Sequence, residues 1–277
     1  MRLKLIKSPA QARAPQPALL ARRSGNRKLG RRQTHALALS QYSCRDCDLL
    51  PALGDKSLKA LKCYGNDGLQ QLAVTGRLNC HPETEPVRIA RVAAKLIDEL
   101  THSKAERLPL RLFTVGDSPT VRGTRAISKA VYRYLESASS KGQESRAWGY
   151  THAYRRVKLS DWNPGKRSNF SILASLSSLD AKTGEELPRR TIRGLFRSAL
   201  RKGYKHFTII VQSFPAHNQP IEIAGKRFLQ CPYQVEALRA KAERRTPNGT
   251  IVCANCRGCM SDQLAKSGLD GVAFIPD

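Results

Sequence analysis

The run Leu110-Arg111-Leu112-Phe113-Thr114-Val115-Gly116-Asp117-Ser118 decides the fold, together with Pro119 and the apolar positions Ala126, Ile127, Ala130, Val131, Tyr134 and Leu135 after it. An apolar run that stops at Gly-Asp-Ser reads as a strand. Apolar residues returning every three or four positions read as the buried stripe of a helix. The unit is therefore β-loop-α. In open α/β sheets ligands bind outside the carboxyl ends of strands, which is where Gly116, Asp117 and Ser118 fall. The same residues also suit helix capping by Asp117 or Ser118, and both readings stand at this point.

Working outward, the pattern repeats. Upstream, Pro86 opens a helix whose apolar stripe is Val87, Ile89, Ala90, Ala93, Ala94, Ile97 and Leu100. Downstream, residues 147–151 form a short strand ending in His152, and residues 169–175 form the next. An Arg-rich helix over residues 188–202 leads to a strand over 207–213, and residues 270–276 are a last apolar segment. Strand then helix, with connections long enough for crossovers, predicts an α/β fold built on a parallel sheet or a partial (β/α) barrel. Tyr150, Thr151 and His152 on one strand tip, and Ser175 and Ser177 on the next, face the same mouth as Asp117. Asp117, His152 and Ser175 are the candidate catalytic residues, although a histidine at a strand end also serves as a hydrogen-bonded structural residue.

Both ends of this domain carry cysteines. Cys253, Cys256 and Cys259 follow one another at two-residue intervals, and Cys231-Pro232 lies upstream with 21 residues between. Cysteines so tightly spaced cannot pair among themselves without bad disulfide geometry, so a compact metal centre is the better account. A triplet plus a distant Cys-Pro is the ligation pattern of an iron-sulfur cluster; zinc is the alternative. The early group is Cys44, Cys47, Cys63 and Cys80, with 15 residues between the second and third. It is read as a second metal centre, in which Cys80 or His81 supplies the fourth ligand, or as partly structural thiols.

The 277 residues carry 48 Lys and Arg against 22 Asp and Glu, a net charge of +26. Such an excess favours a polyanion, DNA or RNA above all, through counterion release; an anionic membrane surface or mere solubility are the other readings. Residues 1–41 hold ten basic side chains and no acidic one, read as a flexible basic arm or, alternatively, a transit peptide. The α/β domain then occupies residues 42–277, with cysteine-rich metal-binding segments at 44–81 and 231–259. The arm and the helix carrying Arg189, Arg190, Arg193, Arg197 and Arg201 are expected to touch phosphates. No apolar run is long enough to span a bilayer, so no membrane insertion and a cytoplasmic location are expected. The sequence leaves the oligomeric state open.

In the order Cys-Tyr, Leu-Arg-Leu-Phe-Thr-Val-Gly-Asp-Ser, Trp-Gly-Tyr-Thr-His, Ser-Ile-Leu-Ala-Ser, Cys-Pro-Tyr-Gln and the cysteine triplet, the chain resembles a family of uncharacterised cysteine-rich proteins of phages and mobile elements. The likeness covers residues 44–277. A more distant one is to radical S-adenosylmethionine enzymes, which place a three-cysteine cluster before a partial barrel. That resemblance implies an open-iron cluster on Cys44, Cys47 and Cys63, S-adenosylmethionine held near Gly116, Asp117 and Tyr150, and an auxiliary cluster on the late cysteines. The spacing differs, with two and fifteen residues between the early cysteines where that family has three and two. The expectation is an intracellular iron-sulfur protein that binds or acts on nucleic acid, possible enzyme chemistry being that of the radical class. The rival is a zinc-stabilised, non-catalytic nucleic-acid-binding module.

Overall fold

The computed structural model describes residues 16–24, 27–30, 32–40, 43–44, 78, 82–114, 116–180, 183–215, 219–248 and 251–275. The first elements among the described residues are a hairpin of β1 (Ala18–Ala21) and β2 (His35–Leu39), between which lies a 3-10 turn at Arg27–Leu29. Then come α1 (Pro86–His102), β3 (Leu110–Arg111), α2 (Val121–Ser140), β4 (Ala147–Thr151), the single turn α3 (Leu159–Trp162) and β5 (Phe170–Ser177). The second half contains α4 (Arg189–Arg201), β6 (Phe207–Ile210), β7 (Ile221–Ile223), β8 (Lys226–Gln230), α5 (Pro232–Ala242), α6 (Cys253–Cys256), α7 (Ser261–Lys266) and β9 (Gly271–Phe274).

Among the described residues, nine strands form one sheet in the order β1-β2-β3-β4-β5-β6-β9-β8-β7. From β2 to β8 all neighbours run parallel, while β1 and β7 close the two edges antiparallel to their hairpin partners. The two edge strands, β1 and β7, do not pair with one another, so the sheet is not closed. The α/β class stands, with a largely parallel sheet.

Within residues 1–41, read as a flexible basic arm, residues 18–21 and 35–39 are strands of the sheet. β2 is buried at all five positions and lies in the sheet between β1 and β3. His35 is fixed from both sides: its Nδ1 accepts from the Arg23 backbone N–H at 3.2 Å, and its Nε2 lies 3.0 Å from the Glu106 carbonyl. This places the proton on Nε2, and burial lowers the imidazole pKa accordingly. The apolar residues of β2 (Ala36, Leu37, Ala38 and Leu39), with Ala18 of β1, outweigh the charge around them because burying them removes apolar surface from water.

β3 is shorter than its apolar run implies. Phe113 takes a left-handed φ of 54°, which turns the chain out of the ladder and lays the ring against Trp162 at 5.4 Å. The helix that follows is capped by Thr120, whose hydroxyl accepts from the Gly123 N–H at 3.1 Å, rather than by Asp117 or Ser118.

The two faces of the sheet are covered differently. One carries α1, α2 and α4. Ile89, Ile97, Ile127, Val131 and Phe196 pack there in one core with Leu37, Leu110, Ile172, Phe207 and Ile209. Phe196 stacks on Phe228 at 5.9 Å and tilts against Phe207 at 5.1 Å. The opposite face carries the 3-10 turn at 27–29, α7 and the cysteine triplet, packed on Ala36, Trp148, Tyr150, Leu173, Val272 and Phe274. Among the described residues no helix is long and apolar enough to cross a membrane.

Candidate metal centre

Cys231 follows β8 directly and is buried, its backbone N–H donating to the Ala273 carbonyl at 3.0 Å. Cys253 begins the single turn α6, and Cys256 ends it. Arg257 then takes a left-handed φ of 52°, reversing the chain so that Cys259 comes back toward the sheet. The result is a cavity of about 460 Å3, including the part open to solvent. It is lined by Cys231, Cys253, Cys256 and Cys259, by Arg146, Trp148 and Tyr150 from the β4 side, and by Val272 and Phe274 of β9. Residues 146, 148 and 150 alternate along an extended segment, which turns all three to one side.

Polar groups hold the triplet in place. Arg146 donates through Nη2 to the carbonyls of Cys253, at 3.1 Å, and Ala254. The Tyr150 hydroxyl and the Cys259 sulfur are hydrogen-bonded at 2.8 Å, and the Arg111 guanidinium lies 3.9 Å from the centroid of the Tyr150 ring. Lys28 reaches over the Phe274 ring at 4.9 Å. Arg111 is buried, and its Nη1 has no hydrogen-bond partner among the described residues.

Burial pushes the Cys253 thiol up to about 11, partly offset by Lys28. It raises Cys259 further, and Cys253 nearby adds to the rise. Cys256 lies at the rim; partial burial raises it too, against a hydrogen bond from the Gly258 N–H. Thiols held protonated in this way are poor nucleophiles. A bound cation reverses the preference by favouring the thiolates, so the donor set suits ligation better than covalent catalysis. Among the described residues, no group of three or more His, Cys, Asp or Glu is arranged to hold a metal ion. The four late cysteines line one cavity, but the expected convergence of their sulfurs on one centre is not seen.

Of the early group, Cys44 is buried, and Cys47, Cys63 and Cys80 lie outside the described residues, as does His81. Ser43, beside Cys44, accepts from the Asp117 backbone N–H at 3.1 Å, so the early segment does begin against the Gly116-Asp117 loop.

Asp117 itself is turned inward. Its carboxylate accepts from the N–H groups of Ser118 (2.7 Å), His152 (2.6 Å) and Ala153 (3.1 Å), and from the Thr151 hydroxyl at 2.9 and 3.0 Å. Burial raises its pKa to about 6, against the pull of these donors. The aspartate ties the loop after β3 to the end of β4. His152 meets it through the backbone rather than the imidazole.

Ser175 is buried on β5, next to Ala174, which faces the helical side, so Ser175 faces the cysteine side with its register partner Thr208. Thr151, the partner of Asp117, is in register with Ala174 and faces the helices. Asp117 and His152 are thus brought together, while Ser175 belongs to the other face. Gly116 has φ 80°, and a Cβ there would lie 2.5 Å from Leu39 Cβ and 2.7 Å from the Leu39 carbonyl oxygen. This glycine lets the loop touch β2. Tyr150, expected beside Gly116 and Asp117, lines the late-cysteine cavity instead.

Arg111, Arg146 and Lys28 were not singled out from the sequence. Arg111 left a signal, a charge set between two leucines in a strand. Lys28 left none.

Comparison with known proteins finds no match to a family model, a curated protein or a solved structure.

Proposed function

We propose that the late cysteines hold an iron-sulfur cluster on the sheet face opposite the helices, in a basic protein that binds nucleic acid. The observation that carries the reading is that Cys231, Cys253, Cys256 and Cys259, from two separate chain segments, line one cavity. A tetrathiolate centre is anionic. Lys28, Arg111 and Arg146 around this cavity supply the compensating charge, and the Tyr150 hydroxyl supplies a hydrogen bond at Cys259.

Cys231, Cys253, Cys256 and Cys259 would be the ligands. The cluster would supply an electron-accepting or structural centre, and the chain's own part is to exclude water with Trp148, Val272 and Phe274 and to balance its charge. A cluster is larger than a single ion and keeps its thiolates further apart. A triplet at two-residue intervals with a distant Cys-Pro, rather than two separated Cys-x2-Cys pairs, favours it over zinc. The nucleic-acid part of the reading rests on the net charge of +26. Turnover at Asp117 is not part of it, since both carboxylate oxygens are occupied by donors of the protein itself.

Anaerobic purification or reconstitution with iron and sulfide tests the centre. The expected result is a broad absorbance near ~400 nm with bound iron and acid-labile sulfide. A colourless protein that retains stoichiometric zinc instead would establish the zinc-stabilised module.

A further inference from the structure

Helix α4 packs its apolar stripe of Ile192, Phe196 and Ala199 into the core. What it leaves outside is unusual. Arg189, Arg193, Arg197 and Arg201 are all exposed and follow one another at four-residue intervals. Each step turns about 40° around the helix and climbs about 6 Å, so the four form a gently winding ridge roughly 18 Å long. Arg190 falls within the same arc.

Within the protein this arrangement is unfavourable twice over. Arginines four residues apart on a helix repel one another. Arg189 and Arg190 also stand in the first turn, where the helix dipole disfavours positive charge, and that turn has no acidic residue. Little compensates for it. Arg189 meets Glu222 at 3.6 Å, with both side chains more than half exposed, while Arg190, Arg193, Arg197 and Arg201 form no ion pair among the described residues.

We infer that the outer face of α4 is a phosphate-backbone site, along which the arginine ridge tracks a strand of nucleic acid. The inference rests on the nucleic-acid part of the proposed function and adds the place and mode of contact. Repeated guanidiniums at roughly 6 Å match a linear polyanion whose charges also recur regularly. An anionic membrane fits less well, because the apolar stripe of α4 is buried, with Phe196 against Phe207 and Phe228, and Leu200 is the one large apolar side chain the helix leaves exposed. Contacts of this kind read no bases, so binding here is insensitive to sequence.

The test compares the full chain with a variant in which Arg190, Arg193, Arg197 and Arg201 are all replaced by Gln. Glutamine keeps helix propensity, and circular dichroism checks the fold. Anisotropy is measured with labelled oligothymidylate, oligouridylate and a mixed duplex between roughly 50 and 200 mM salt. The expected result is that the variant's slope of log affinity against log salt is shallower by about 3 on single strands, or about 4 on duplex, with sequence preference unchanged. The corresponding four Arg→Lys changes should restore most of the slope, which a merely structural role would not predict. If the parent chain binds and the Gln variant keeps its affinity and slope, the ridge is not the site and the inference fails while the nucleic-acid reading survives. If the parent chain binds none of the three probes, that broader reading fails, and the ridge with it. Ridge-dependent binding to phosphatidylserine vesicles in place of the oligonucleotides would also overturn the assignment.

Discussion

The two faces of the sheet share every strand and differ in what holds their coverings on. On the helical face the contacts are apolar and long-range: α1, α2 and α4 bury a continuous layer of Ile, Leu, Val and Phe. On the cysteine face the apolar clusters are small, and the segment from 251 to 260 is held by Arg146 on two carbonyls, Tyr150 on Cys259 and Ser171 on the Ser261 N–H at 2.9 Å. The difference teaches where stability and function are separated. The helical side needs nothing but its own chain, whereas three buried or half-buried thiols and a fourth at the rim, beside Arg111 and Arg146, which form no ion pair among the described residues, are what an anionic centre would complete.

The largest effect should come from the helical face. Phe207→Ala removes a ring buried between Phe196 and Phe228's neighbourhood and leaves a cavity, so urea unfolding should show a loss of about 3 to 5 kcal/mol. Val272→Ala, one strand over on the cysteine face, should cost distinctly less. Equal losses would break the contrast between the faces.

Asp117→Asn comes next. The substitution keeps the shape but sets an amide N–H2 among donors, leaving at least one buried N–H or O–H unmatched, for a loss of about 1 to 3 kcal/mol. Its pH dependence has a definite sign. The carboxyl pKa is about 6 in the fold against 3.8 in the unfolded chain, so the folded state binds the proton more tightly. The contribution of Asp117 is therefore greatest below about pH 4, declines as pH rises through about 6, and is level above that. The Asn variant should lose that part of the pH profile; an unchanged profile would mean that Asp117 titrates as an ordinary exposed carboxylate.

The smallest change in the stability of the metal-free protein should follow Cys256→Ser. The residue is exposed at the cavity rim, so unfolding without metal should move by no more than about 0.5 kcal/mol. After reconstitution the same variant should hold less iron and lose the stabilisation that the centre gives the parent chain. If metal content and stability were the same with and without the substitution, Cys256 would not be a ligand.

Much of this was legible in the chain. The stripes of α1 and α2 and the arginines of α4 follow from periodicity, since a 3.6-residue repeat can bury only one side of a helix, and the end of β4 at His152 was also readable, whereas β3 stops at Arg111, well short of Asp117. That Cys231 would lie near the triplet was also readable from the cysteine pattern, as far as the cavity they share. The hairpin inside the basic segment was harder to see: local charge dominates composition, while burial of β2 depends on β3, whose sequence lies some seventy residues away.

The sequence by itself determined the strand-helix alternation, the buried stripes and the residue types at the late cysteines, all of which depend on neighbours in the chain. Only the tertiary structure decided which residues share a face. Alternation assigns Arg146, Trp148 and Tyr150 to one side of a strand but does not say which. The open order of the sheet, with β9 inserted between β6 and β8, sets that side against the cysteines and places Ser175 across the sheet from the helix-facing partner of Asp117. Long-range pairing of strands carries that information, and no local pattern encodes it.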